Sequence, residues 1–285
     1  MRLFPSCLAA TLLLVLPACL RDASVEEQST EAALLMASDA SLSIDGATIP
    51  VMVSAAGPDG IGVQIGPSMG QPVNDWIESA LSANYVRKSG ELKAADFNSQ
   101  TRSVREFKDA LITEIGFPAA DGASKDAAYL TLKFAPELVR WKNAGSTEGA
   151  APSSLPGFSP SSFCFAIDGL PTGTVSKVSP VTVRSTPEGL HFADVTITFA
   201  ASDRDPWQAW YDDFVIEGQN HADKEKSGSI EFLDPTGEKS LLTVTLANLG
   251  ISKITPDMGT DGNDRVQATV RVGGVSFLCN VCQWQ

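Results

Sequence analysis

The side chains able to do chemistry are few and keep the wrong company. Gly66-Pro67-Ser68-Met69-Gly70 has the G-x-S-x-G spacing of a nucleophile elbow, which presents a serine on a sharp strand-to-helix turn. Such a serine needs an imidazole to take its proton, and the only histidines, His191 and His221, lie in the other half of the chain. Pro67 also constrains the strained turn, so the segment reads as a Gly/Pro turn ahead of a helix. With two histidines, a His-based zinc or non-haem iron site is nearly excluded. Asp257, Asp261, Asn263 and Asp264 offer oxygen ligands in a Gly-rich loop. They lack the Asp-x-Asp-x-Asp-Gly order and the closing Glu of a calcium loop, and a solvated acidic turn is the better reading. Gly237-Glu238-Lys239-Ser240 ends like a phosphate loop but has no glycine frame before it, so it reads as a hairpin tip. No catalytic set converges. The expectation is a chain that is not an enzyme and that needs no cofactor and no metal.

The five cysteines carry more information. Cys7 lies in an apolar run, Cys7 to Leu16, that follows a short basic start at Met1-Arg2 and precedes Pro17-Ala18-Cys19. The run is too short for a bilayer about 30 Å thick and has the parts of an export signal. Leu16-Pro17-Ala18-Cys19 resembles the bacterial lipobox, which implies acylation of Cys19 and an outer-membrane lipoprotein or surface location, Leu20 rather than Asp following it; an ordinary secreted or periplasmic protein is the alternative. Cys164, Cys279 and Cys282 then sit in a disulfide-permissive compartment. Cys279-Asn280-Val281-Cys282 lacks further ligands for zinc and a helix N-terminus for redox work. If a barrel closes between its first and last strands, Cys164 meets Cys279 or Cys282. An internal Cys279–Cys282 bridge is the competing pairing.

The formal net charge is −13 and becomes about −14 once residues 1–18 and Arg2 with them are removed. An acidic surface repels a phosphate backbone, so nucleic acid is not expected as a partner, and a membrane is reached only through a lipid anchor. Residues 19–40 read as a tether. Residues 144–162, AGSTEGAAPSSLPGFSPSS, read as an interdomain linker dense in Gly, Ser and Pro.

The elements on either side of that linker, 41–143 and 163–285, look alike. Ile44-Asp45-Gly46 is matched by Ile167-Asp168-Gly169, and Lys88-Ser89-Gly90 by Lys226-Ser227-Gly228 at an offset of 138. Held without a gap, that offset also aligns Asp96 with Asp234, Leu111 with Leu249, Pro118 with Pro256, Asp126 with Asp264 and Thr131 with Thr269. The first pair lies at offset 123, so the second copy carries about 15 extra residues ahead of its Lys-Ser-Gly. Alternation predicts strands over Val178 to Arg184, Phe192 to Phe199, Ser229 to Leu233, Leu241 to Leu249 and Val266 to Phe277. Trp207, Trp210, Tyr211 and Phe214 at helical spacing predict a helix over Asp203 to Asp213, and Val73 to Ala83 predicts its counterpart. The fold class is mainly β: two tandem antiparallel β-barrel or sandwich domains, each with one short helix.

The succession Trp207…Trp210-Tyr211-Asp212-Asp213, then Lys226 to Gly237, then a long strand with Asn248 and Lys253 ahead of Pro256, resembles the tube proteins of contractile phage tails. The resemblance covers residues 163–278, and 41–143 through the repeat. It implies a non-enzymatic β-barrel that self-associates, with three double-barrel chains making a trimer or hexamer-like ring. Those tubes assemble in the cytoplasm, whereas this chain has an export signal, so an envelope-anchored assembly role is expected in place of a tail. The other expectation is a ligand- or glycan-binding adhesive lipoprotein, with Trp207, Trp210 and Tyr211 stacking on a sugar.

Overall fold

The computed structural model describes residues 39–57, 60–95, 101–143, 155–258 and 264–282. Residues 1–18, expected to be an export signal, and Cys19 lie outside the described residues. The chain is mainly β, with two short α-helices among the described residues.

The first half closes into a barrel. β1 (Asp39–Ile44) turns back into β2 (Ala47–Gly57) through Asp45 and Gly46, whose φ values of 48° and 84° are left-handed. An Asp-Gly pair of this kind makes the two-residue turn whose twist matches that of the strands. β2 pairs with β3 (Gly60–Ile65), β3 with β7 (Leu130–Ala135), β7 with β5 (Thr101–Phe117), β5 with β4 (Lys88–Ala95), and β4 with β1. Six antiparallel strands thus form a ring with no free edge. The apolar members of the alternation, among them Leu42, Val51, Val63, Leu92, Phe107, Leu132 and Phe134, are buried. α1 (Gln71–Leu81) starts beside Pro72 and buries Val73, Trp76, Ile77 and Ala80. Trp76 packs on Phe134 at 5.4 Å between ring centroids, and its indole N–H donates to the Val86 carbonyl at 2.9 Å.

The second half repeats the scheme and leaves it open. β9 (Phe163–Ile167) pairs with β14 (Lys226–Leu233), β14 with β15 (Ser240–Met258), β15 with β16 (Asp264–Arg271), and β16 with β13 (Val195–Ala200). β13 continues to β10 (Lys177–Val178) and β10 to β6 (Ala120–Asp121), which belongs to the first half. The predicted strand over Val178 to Arg184 is broken at Pro180, which has no N–H to keep a ladder going. Beyond it β11 (Val181–Thr186) leaves for the other half and pairs with β5, and β12 (Gly189–Phe192) covers β11. The predicted strand over Val266 to Phe277 is likewise two, β16 and β17 (Gly274–Cys279). β17 pairs with β15, as β8 (Leu138–Asn143) pairs with β5. α2 (Arg204–Tyr211) runs on into a π-helical turn over Asp212–Ile216.

The pairings give the correspondence between the halves directly. Ile44 lies opposite Gly90, and Ile167 opposite Gly228. Each long strand has a bulge near a non-glycine residue at left-handed φ, Asp109 at 52° and Asn248 at 53°, a conformation that Asp and Asn tolerate. These two residues lie 139 apart, not 138, and Phe134 and Val270, opposite Ile112 and Ile251, lie 136 apart. The ungapped offset of 138 therefore holds for β4 and β14 alone. Beyond the hairpin, Leu111/Leu249, Pro118/Pro256, Asp126/Asp264 and Thr131/Thr269 are not equivalent positions, whereas Ile112/Ile251 and Ile115/Ile254 are.

The halves are not beads on a linker. Phe117 of β5 and Phe277 of β17 pack at 5.6 Å, within one continuous core. Residues 155–162, the far end of the Gly/Ser/Pro stretch, belong to that packing. Phe158 is buried, bridges Ala128 and lies 5.8 Å from the Phe232 ring.

Candidate interaction surface

The structure scatters the residues that the sequence offers for chemistry. Ser68 lies in the loop between β3 and α1, half-buried, with Pro67 and Gly66 buried beside it. A Cβ on Gly66 would come within 2.0 Å of the Pro156 carbonyl oxygen, so this glycine is required by close packing of backbone on backbone. The loop is a packed seat and not an exposed elbow. His191 sits on β12 and His221 on an exposed turn after α2. Asp261 and Asn263 of the acidic loop lie outside the described residues; Asp257 accepts from Gln267 Nε2 at 3.0 Å. Among the described residues no group of three or more His, Cys, Asp or Glu could hold a metal. Gly237 is a hairpin tip, as expected: the Asp234 carboxylate accepts from Thr236 Oγ1 and from the Glu238 N–H, and the Thr236 bond holds its pKa below the ordinary aspartate value.

The cysteines pair locally. Cys279 is bonded to Cys282, while Cys164 is exposed and free. The expected bridge from Cys164 to either partner does not form because the first and last strands of this half never meet: β14 and β15 stand between β9 and β17. The Cys279–Cys282 sulfurs lie 3.7 and 3.8 Å from the Pro67 carbonyl oxygen, so the C-terminal end of the second half is seated on the Gly66–Gly70 loop of the first.

The aromatics expected to stack on a glycan are mostly core. Trp207 and Trp210 are buried, Trp207 stacks on Phe199 at 4.6 Å, and its N–H donates to the Pro171 carbonyl at 3.1 Å. Only Tyr211 keeps partial exposure.

What the structure brings together is a pair of strand exchanges, which the sequence did not announce. β11 lies along β5 with Arg184 opposite Glu114, and β10 along β6 with Lys177 opposite Asp121. Each exchange carries an ion pair across the halves: Arg184 Nε to Glu114 Oε2 at 2.6 Å, and Lys177 Nζ to Asp121 Oδ2 at 3.1 Å. Glu114 also holds Lys133 Nζ at 2.8 Å. Burial pushes the Glu114 pKa up, but Lys133 and Arg184 outweigh it and hold the group below the ordinary glutamate value. Asp121 behaves alike: burial raises it, and the Ala123 N–H with Lys177 lowers it further.

The chain leaves β9 without returning along it, since residues 168–176 form no strand before β10. β1 is flanked by β4 and β2, whereas β9, its counterpart, pairs only with β14 among the described residues. Exposure follows pairing. Ser41 on β1 is 2% exposed, while Cys164, at the equivalent place, is exposed. Among the described residues no strand pairs with the outer edge of β9, where the Ile167 carbonyl accepts from the Leu170 N–H at 3.2 Å, and Phe163, Cys164, Phe165, Ala166 and Ile167 include no charge and no proline.

No protein-family model and no curated protein matches this chain. Among solved structures it is similar to a chain of the anti-feeding prophage baseplate, with a TM-score of 0.29 and 12% identity over 41% of this chain and 91% of that one. It is also similar to a chain of the cap that terminates the anti-feeding prophage tube, with a TM-score of 0.26 and 12% identity over 46% of this chain and 83% of that one.

Proposed function

We propose that this chain is a non-enzymatic structural protein of the cell envelope, exported, carried on a lipid at Cys19 and acting through protein–protein contacts, self-association into a trimer or hexamer-like ring among them. The observation that carries this reading is the outer edge of β9. Native sheets protect an exposed edge with charge, proline, a bulge or a cover, and β9 has neither charge nor proline in its five residues. Such an edge adds a strand from a partner, with the backbone supplying affinity and alternate side chains specificity. The rival glycan-binding reading loses two of its three rings to the core.

Native mass spectrometry of the purified mature chain, alongside an Ala166→Lys variant that charges the edge and leaves the β14 ladder intact, tests the assembly. The expected result is a trimer or ring for the parent and a monomer for the variant. A parent that is monomeric at every concentration rules the assembly out. Metabolic labelling with a fatty acid, lost in Cys19→Ala, tests the anchor separately.

A further inference from the structure

β5 and β15 offer the same edge twice. On β5, Phe117, Gly116, Ile115 and Glu114 receive Val181, Thr182, Val183 and Arg184 of β11. The bulge just before that segment falls between Ile112 and Glu114 on β5, and between Ile251 and Lys253 on β15. The equivalent edge of β15 is therefore Lys253-Ile254-Thr255-Pro256. No strand lies along it among the described residues: β15 pairs there with β16 alone. Exposure agrees, since Ile115 and Phe117 are buried while Ile254 is half-buried and Pro256 exposed.

Two substitutions separate the edges in kind. Lys253 stands where Glu114 does, so the arginine of an arriving β11-like strand meets a like charge in place of a carboxylate. Like charges directly opposite one another destabilise a strand pair. Pro256 stands where Phe117 does, and it removes both a backbone donor and a ring of the kind that packs on Phe277. Lysine and proline are the residues that natural sheets place on edges to keep them from pairing. The first half also has no hairpin to donate. Ile167 to Val195 runs 12 residues longer than Ile44 to Gly60, and the hairpin Val181–Phe192 accounts for that difference.

We infer that the outer edge of β15 across Lys253–Pro256 is a strand-docking position closed by those two residues, so that the exchange uniting the halves runs one way within a chain and does not pass to the next. Among the described residues the hairpin β11–β12 has one edge that receives it, on β5, and uses it within the chain. The inference holds for a monomer and for an assembly built on β9, so it stands or falls apart from the proposed function.

A synthetic peptide spanning Ser179–Asp194 probes the edge, with hydrogen exchange of the outward-facing amides as the readout, that of Ile254 and that of position 256 where the proline is replaced. The parent chain is expected to show no protection on adding peptide. Lys253→Glu/Pro256→Phe restores a charge pair, a donor and a ring, and is expected to bind with protection of those amides at least about tenfold more tightly. Lys253→Glu alone, which leaves the backbone untouched, is expected to gain a few-fold, about as one cross-strand charge pair allows. Peptide-dependent protection in the parent overturns the inference, and so does a folded Lys253→Glu chain that gains none.

Discussion

In the first half, Asp45 and Gly46 both take left-handed φ and β2 returns along β1; in the second, Gly169 does so at 72° but Asp168 does not, and the chain runs off through Pro171 and Pro180 to pair elsewhere. The same Ile-Asp-Gly thus yields a closed barrel once and an open sheet once. What differs is the strand that follows. β2 is continuous over 11 residues, whereas between β9 and β13 only the two-residue β10 stays in this sheet, and the hairpin β11–β12, which has no counterpart in the first half, goes to the other. The added hairpin fastens one half to the other, and among the described residues no strand covers the outer edge of β9.

The strongest way to break this comparison is at the shared core. Phe117→Ala removes the ring that meets Phe277 and is expected to cost about 3–5 kcal/mol. Because the packing is continuous, both halves should lose stability together in a single calorimetric transition. Two separated transitions, with only one displaced, would show that the halves are independent barrels. The clasp comes next. Replacing Cys279 and Cys282 by serine opens a short loop, and chain entropy alone predicts a loss of roughly 2 kcal/mol. The hydrogen exchange of the Gly66–Gly70 loop should rise with it, because the sulfurs sit on the Pro67 carbonyl.

A finer test uses the equivalent tryptophans of the two helices. The Trp76 N–H has a partner in the Val86 carbonyl, while the buried Trp210 Nε1 has no hydrogen-bond partner among the described residues. Trp76→Phe strands a carbonyl and is expected to cost about 1–3 kcal/mol. Trp210→Phe removes an unsatisfied donor and should cost less, so equal losses in chemical denaturation would remove this distinction. The smallest effect is expected from pH. Glu114 and Asp121 both have folded-state pKa values below their unfolded ones. Their contribution is therefore present above the unfolded carboxylate values and is lost as pH falls through the folded ones. Acid melting curves should show the parent losing this increment, and Glu114→Gln/Asp121→Asn lacking it from the start. A variant whose melting temperature tracks the parent across the acid range removes the ion pairs from the account.

The strands and both helices were legible because alternation and helical spacing report which face is buried. Trp207 and Trp210 at helical spacing marked a core face, and Asp234 to Gly237 marked a turn. The topology was not legible, because backbone edges carry no side-chain signature. Nothing in Val181 to Arg184 distinguishes a strand that stays in its own sheet from one that crosses to another. The expectation that Cys164 meets Cys279 assumes that the last strand closes on the first, whereas β17, like β8, lies on the long strand, two strands away from the first. The true register of the repeat was hidden by a one-residue difference at the β4–β5 hairpin and a three-residue difference before β7, which shift every later position. Phe158 lay unnoticed among Gly, Ser and Pro, though one aromatic in such a stretch was the sign that it packs.

The barrel of the first half has a consequence for the order of events during synthesis. Its six strands draw on no residue beyond Ala135. It can close on itself while the second half is still emerging, as N-terminal units commonly do. β5 would then wait with one edge of Glu114–Phe117 already on β7 and the other bare, a template in place before its partner arrives. The second half has less autonomy, since one edge of β11 and one of β10 are completed only by strands of the first half.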